Sequence, residues 1–110
     1  MSRRNAKLYI DDIIASIDRI EEYIKGIGFE EFVRDQKTID AVVRNLLVIG
    51  EAAKNMPDET RRKHPDLPWF EIIGMRNKVI HEYFGVKEDV LWKTIKDDLP
   101  EFKNQIKSLL

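Results

Sequence analysis

Hydrophobic positions recur every three or four residues along almost the whole chain. From the N-terminal side they run Leu8, Ile10, Ile13, Ile14, Ile17, Ile20, Tyr23, Ile24 and Ile27, which is one stripe of an amphipathic helix. Gly26 and Gly28 bracket its expected end, where the backbone must leave helical dihedrals. Phe29 to Val33 reads as a short turn of helix. A second long helix is predicted to start near Asp35 or Thr38, with a stripe of Ile39, Val42, Val43, Leu46, Ile49 and Ala53, Met56 at its end and Pro57 as its stop. Asp40, Arg44, Glu51 and Lys54 fall off that stripe. Pro57 to Pro68 is a punctuated connection in which Asp58 to Lys63 can form a short helix. A third long helix is predicted from Trp69, carrying Ile72, Ile73, Met75, Val79 and Ile80 and closing at Gly85. A fourth begins near Lys87 with Val90, Leu91 and Ile95 inward; Pro100 marks a break or kink, and Phe102, Ile106 and Leu109 resume the stripe.

No stretch shows the strict alternation of a half-buried strand, and no Asn-Gly or Asp-Gly hairpin turn occurs. The expected fold is therefore all-α: an up-and-down bundle of four main helices plus short ones, formed as one domain over residues 1–110. With 43% hydrophobic and 35% charged residues the chain has the balance of a globular domain rather than a disordered one. A core of this size is modest, so association with a second copy would add to it.

The absence of cysteine removes a disulfide framework, a thiolate nucleophile and any cysteine-containing zinc site. Asp11 and Asp12 interrupt the first apolar residues, and the longest clean apolar run is Leu46 to Ile49, far short of a membrane span. A cytoplasmic protein without membrane association is expected. The formal net charge of −1 argues against binding nucleic acid through bulk charge, so any contact with RNA must use a local positive patch.

Candidate chemistry gathers at Arg76-Asn77-Lys78-Val79-Ile80-His81-Glu82-Tyr83. Asn77 and His81 are four apart and share a helical face, and Arg76 and Tyr83 are seven apart and share another. Arg76 and His81 are five apart, a rotation of roughly 140° on an ideal helix, so one helix does not aim both at a small target. Two copies facing each other could, which points to a symmetric dimer with the site in the shared cleft. Histidine suits general acid–base work near neutral pH, and arginine offers a permanently charged fork for phosphate oxygens. Together they meet the minimum for metal-free phosphodiester cleavage through the ribose 2′-hydroxyl. The same residues admit plainer roles: His81 as a cap for free carbonyls, Arg76 as the ion-pair partner of Glu71, Asn77 as a helix-packing residue and Tyr83 as the edge of the core. The basic run Arg61-Arg62-Lys63-His64 reads as solvated surface. His81-Glu82 opens a zinc-protease pattern that Gly85 breaks, and no phosphate-binding glycine loop occurs, so neither a metal nor a cofactor is called for.

Beyond the motif itself, the helix from Tyr9 to Tyr23, the stretch Asp40-Ala41-Val42-Val43-Arg44-Asn45-Leu46 through Ile49-Gly50-Glu51-Ala52-Ala53-Lys54, and Leu67-Pro68-Trp69 leading into Ile73-Gly74-Met75-Arg76-Asn77 are familiar. With Arg76, four residues, His81, one residue and Tyr83, the chain resembles the HepT-like branch of the HEPN superfamily, the toxin partner in HepT/MntA-type toxin–antitoxin pairs of bacteria and archaea. The resemblance implies a type VII-like toxin: a helical homodimer in which Arg76 and His81 line a composite cleft and cut RNA without a metal, with Asn77 orienting the pair. It also implies a partner, an MntA-like nucleotidyltransferase antitoxin that transfers AMP to Tyr83. The alternative is a non-catalytic helical binding module that partners such a nucleotidyltransferase.

Overall fold

In the computed structural model, which describes residues 5–81 and 87–110, the last four of the first stretch by backbone alone, every element is helical. The order is α1 (Ala6–Ile24), α2 (Phe29–Val33), α3 (Gln36–Asn55), α4 (Asp58–Lys63), α5 (Trp69–His81), α6 (Glu88–Lys93), a π-helical segment (Thr94–Asp98) and α7 (Leu99–Lys107). No strand occurs among the described residues.

Local chemistry sets the boundaries. The Asn5 side chain accepts a hydrogen bond from the Leu8 amide at 3.1 Å, and Asp35 accepts one from the Thr38 amide at 3.1 Å, so α1 and α3 each start on a side-chain cap. Thr38 Oγ1 also donates to Asp35 at 2.6 Å, and these bonds hold the Asp35 carboxyl below its ordinary pKa. Gly26, at φ 79°, makes the left-handed turn that releases the chain from α1. The expected stop at Pro57 and the short helix after it are both present.

The core is built by the predicted stripes. Ile10, Ile13, Ile17, Ile20 and Ile24 of α1 are buried against Val42, Val43, Leu46, Ile49 and Ala53 of α3. The buried arc of α3 is wider than its apolar stripe, because Asn45, Gly50 and Ala52 are buried too. The cause is that α3 is the central helix, packing on both α1 and α5. Phe32 of α2 is fully buried, its ring centroid 5.0 Å from that of Trp92. Trp69, at the head of α5, packs edge-on against Phe102 of α7 at 6.2 Å and donates its indole N–H to the His64 carbonyl at 2.9 Å. Lys103 of α7 reaches Asp18 at 2.6 Å and Glu21 at 2.8 Å on α1, which fastens the last helix to the first.

The break expected at Pro100 takes a specific form. Proline cannot donate to the carbonyl one turn earlier, and its ring crowds that carbonyl. The helix widens just before it: the Leu99 amide donates to the Thr94 carbonyl five residues back. Ile95, Leu99 and Phe102 thereby stay buried, and the chain runs on rather than turning away.

The α3–α5 contact depends on Gly50. A Cβ added at that position would overlap Arg76 Cβ and stand 3.1 Å from its Cγ and 3.2 Å from its Cα. Gly74, on α5, has open space where a side chain would go. Opposite outcomes are expected. Gly50→Ala should destabilise the fold by about 1–3 kcal/mol through overpacking at backbone level. Gly74→Ala should stabilise it by roughly 0.5–1 kcal/mol by replacing a helical glycine. Thermal unfolding at equal protein concentration checks both, and equal effects at the two positions would contradict the packing argument.

Candidate functional site

Helix α5 is positioned at its start and at its middle. Trp69 anchors its first turn, and the Gly50 crossing draws its third turn onto α3. At that crossing Arg76 lies across the surface of α3, its side chain only 21% exposed. Its Nε–H donates to Glu51 Oε2 at 2.5 Å, and Nη1 donates to Asn77 Oδ1 at 2.9 Å. Glu51 is held in turn, because Asn55 Nδ2 donates to its Oε1 at 3.2 Å and to its backbone carbonyl at 3.0 Å. The result is a hydrogen-bonded chain, Asn55–Glu51–Arg76–Asn77, spanning two helices. Chiefly the Arg76 guanidinium, and then Asn55, hold the Glu51 carboxyl below its ordinary pKa.

This chain borders a groove of 420 Å³, lined by Tyr9 and Asp12 of α1, Arg44, Glu51 and Asn55 of α3, and Arg76 of α5. Two guanidinium groups, Arg44 and Arg76, and two carboxylates, Asp12 and Glu51, therefore meet in one groove. A second cleft, of 360 Å³, is lined by Asp66, Glu71, Asp98 and Glu101, which makes it repellent to phosphate. The charged lining of the Arg76 groove is balanced rather than positive, two arginines beside Asp12 and Glu51, and it repels phosphate less than the acidic second cleft does.

Arg76 pairs with Glu51, not with Glu71. Glu71 is five residues back on the same helix, about 140° around it, and faces the acidic cleft instead. Asn77 is exposed and accepts from Arg76, so it is no helix-packing residue. His81 is the last residue of α5; by ideal geometry its Cα stands about 140° and roughly 7.5 Å along from that of Arg76. Tyr83 lies outside the described residues. His64 caps α4 by its backbone, and the basic run before it is partly neutralised within the helix, Arg61 by Asp58 and Lys63 by Glu59. No group of three or more His, Asp or Glu among the described residues is placed to hold a metal ion. No helix among them is long and apolar enough to cross a membrane.

Glu51, Asn55 and the groove wall at Arg44 were not expected as site residues. The only sequence signal was their shared helical face, with Glu51 and Asn55 four apart and Arg44 seven before Glu51; nothing links that face to position 76 until the helices cross.

An all-α domain with an arginine fixed at a groove and a histidine one turn beyond it fits a HEPN-like ribonuclease fold. The chain belongs to the HepT-like ribonuclease family, whose model, "Ribonuclease HepT-like", matches residues 13–109. Among curated relatives it is 49% identical over 107 residues to "Probable ribonuclease HepT" of Thermococcus cleftensis, covering 97% of each chain. It is 48% identical over 102 residues to "Putative RNase TTE0752" of Caldanaerobacter subterraneus subsp. tengcongensis, covering 93% of this chain and 91% of the relative. A third, "Putative RNase MJ1380" of Methanocaldococcus jannaschii, is 39% identical over 106 residues, 96% of this chain and 97% of the relative. No solved structure matches the chain.

The ion pair makes a titration prediction. The folded pKa of Glu51 lies below its ordinary value of 4.5. Its contribution to stability is therefore fully present above 4.5 and is lost as pH falls through the lowered folded value. Side-chain carboxyl NMR should show Glu51 titrating below 4.5 in the native protein and shifting up toward it in Arg76→Ala. An unchanged titration in that variant would contradict the pairing.

Proposed function

We propose that the protein is a metal-independent endoribonuclease toxin that acts as a homodimer in the cytoplasm, with Arg76 and His81 as its catalytic residues. The observation that carries this reading is the placement of Arg76: two side chains fix its guanidinium beside a groove, and among the described residues three of its five N–H donors remain for phosphate oxygens. The membership of the chain in the HepT-like family and the names of its relatives support it.

In this reading an RNA strand lies across the cleft shared by two copies. His81 takes the proton of a ribose 2′-hydroxyl, and that oxygen attacks the adjacent phosphorus. The bond to the 5′-oxygen of the next nucleotide breaks, leaving a 2′,3′-cyclic phosphate, and the departing oxygen takes a proton from an imidazolium or from water. Arg76 stabilises the charge that builds on the phosphorane oxygens. Asn77 keeps the arginine oriented. The five-residue offset between Arg76 and His81 is the reason two copies are needed.

Control falls to Tyr83. An MntA-like nucleotidyltransferase would transfer AMP from ATP to its hydroxyl, releasing pyrophosphate. The added phosphate and base would stand on the same helical side as Arg76 if α5 continued through Tyr83, blocking the groove and opposing RNA by like charge. The near-neutral net charge favours a second reading in one respect, as a non-catalytic module that only binds the nucleotidyltransferase.

The expected outcomes separate these readings. With chelator present, the purified protein should cleave single-stranded RNA, and His81→Ala and Arg76→Ala should each lower the rate by about 100-fold or more. Retained cleavage in both variants would refute the assignment of the catalytic pair. No cleavage by the native protein, together with a tight complex with the nucleotidyltransferase, would select the binding module. Tyr83→Phe should remain active but escape addition of AMP, read by intact mass; addition at another residue would remove Tyr83 from the scheme.

A further inference from the structure

Arg76 is the one guanidinium among the described residues that side chains from two different helices hold in place. Arg61 pairs within its own helix, and Arg34 donates to a carbonyl one turn back. We propose that Glu51 is the positioning residue of the site: it sets the guanidinium of Arg76 so that its outer edge, rather than its Nε, meets the scissile phosphate. The inference rests on the reading of Arg76 as the phosphate-binding group.

The geometry supports it at three points. First, the Nε–H is spent on Glu51 and one Nη1–H on Asn77, so two bonds at different nitrogens fix the plane of the group. Among the described residues, one N–H on Nη1 and both on Nη2 are left, all at the far end of the fork. Second, Glu51 does not swing freely. Asn55 donates to its second oxygen, and that bond lies along α3 at the i,i+4 spacing. Third, the reach of Arg76 to Glu51 depends on the neighbouring Gly50, because any larger residue would push the arginine off the surface of α3. The ordering of a long, flexible side chain is thus completed on folding and need not be repeated when substrate arrives.

Charge decides what kind of help Glu51 gives. It is half exposed, so its carboxylate stays hydrated and ionised beside the groove. There it offsets the positive charge of Arg76 and opposes an incoming phosphate. Glu51 therefore does nothing for the ground-state affinity of RNA. Its effect should fall on the step at which the guanidinium must match the transition state, which is a kcat effect. Glutamine keeps a carbonyl oxygen that can accept from Nε and removes the opposing charge; alanine removes both.

The test uses the full-length protein with single-stranded RNA and a non-cleavable 2′-deoxy strand of the same sequence. Glu51→Ala should lower kcat by about 10- to 100-fold, while KM for RNA and binding of the deoxy strand stay unchanged or tighten. Glu51→Gln should restore kcat to within a few-fold of the native protein. The Arg76 Nε–H resonance in a 15N spectrum should be resolved and slowly exchanging in the native protein and in Glu51→Gln, and lost in Glu51→Ala. That readout holds whether or not cleavage is seen. If Arg76→Ala cleaves normally, the catalytic reading itself fails. If Arg76→Ala is inactive but Glu51→Ala keeps the native kcat, or if its Nε–H resonance is unchanged, the positioning role is overturned. Equal loss in Glu51→Gln with the resonance intact would also overturn it, because the carboxylate charge and not the position of Arg76 would then matter.

Discussion

The structure turns on the absence of one side chain. Where α5 crosses α3, Gly50 meets Arg76 at a separation that admits no Cβ. Close approach of two helices is usually favoured by small residues because the backbones themselves can then make contact. Here the small residue faces the stem of an arginine, so the crossing does two things at once. It brings α5 near enough to complete the core through Ile72 and Trp69, and it lays the arginine flat on α3 with its head beside Glu51. Packing and chemistry are not separable at this point: a change that loosens the crossing also releases the guanidinium.

The ion pair formed there has a half-exposed carboxylate, and such pairs contribute little to stability. Its value lies in geometry. An arginine on a helix surface samples many rotamers, and each costs entropy when it binds. Two anchors, one on each helix, remove that freedom while leaving the outer donors available. The same economy appears elsewhere in the fold in structural form, where Lys103 joins α7 to α1 through two carboxylates. The difference is that Lys103 is tied by two carboxylates of one helix, whereas Arg76 is tied by Glu51, which itself lines the groove, and by its neighbour Asn77.

Much of the architecture was legible in the sequence because helices advertise themselves by periodicity. The stripes of α1 and α3, the start of α3 near Asp35 and the turn at Gly26 follow from local rules and appear where those rules put them. Pro100 was legible as a disturbance but not as a π-helical segment. Whether a proline breaks a helix or widens it depends on the burial of its neighbours, here Ile95, Leu99 and Phe102. The partner of Arg76 was not legible. Glu71 is near in sequence but on the wrong side of the helix, while Glu51 is 25 residues away and becomes a neighbour only through the crossing at Gly50. The motif named the arginine; only tertiary packing could name what holds it.

That distinction bears on the two halves of the motif. The arginine end sits over α3, where a core helix and a fixed carboxylate define its direction. The histidine end comes at the last described turn of α5, past the crossing, where α5 no longer has Gly50 opposite it. Arg76 is fixed by its packing on α3, and its five-residue offset from His81 means that one helix does not aim both groups at one target. In the proposed dimer a second α5 would bring its own Arg76 and His81 to the same cleft, and a two-fold axis would do so for both copies at once. Symmetry would then supply the second direction that the helical offset denies to a single copy.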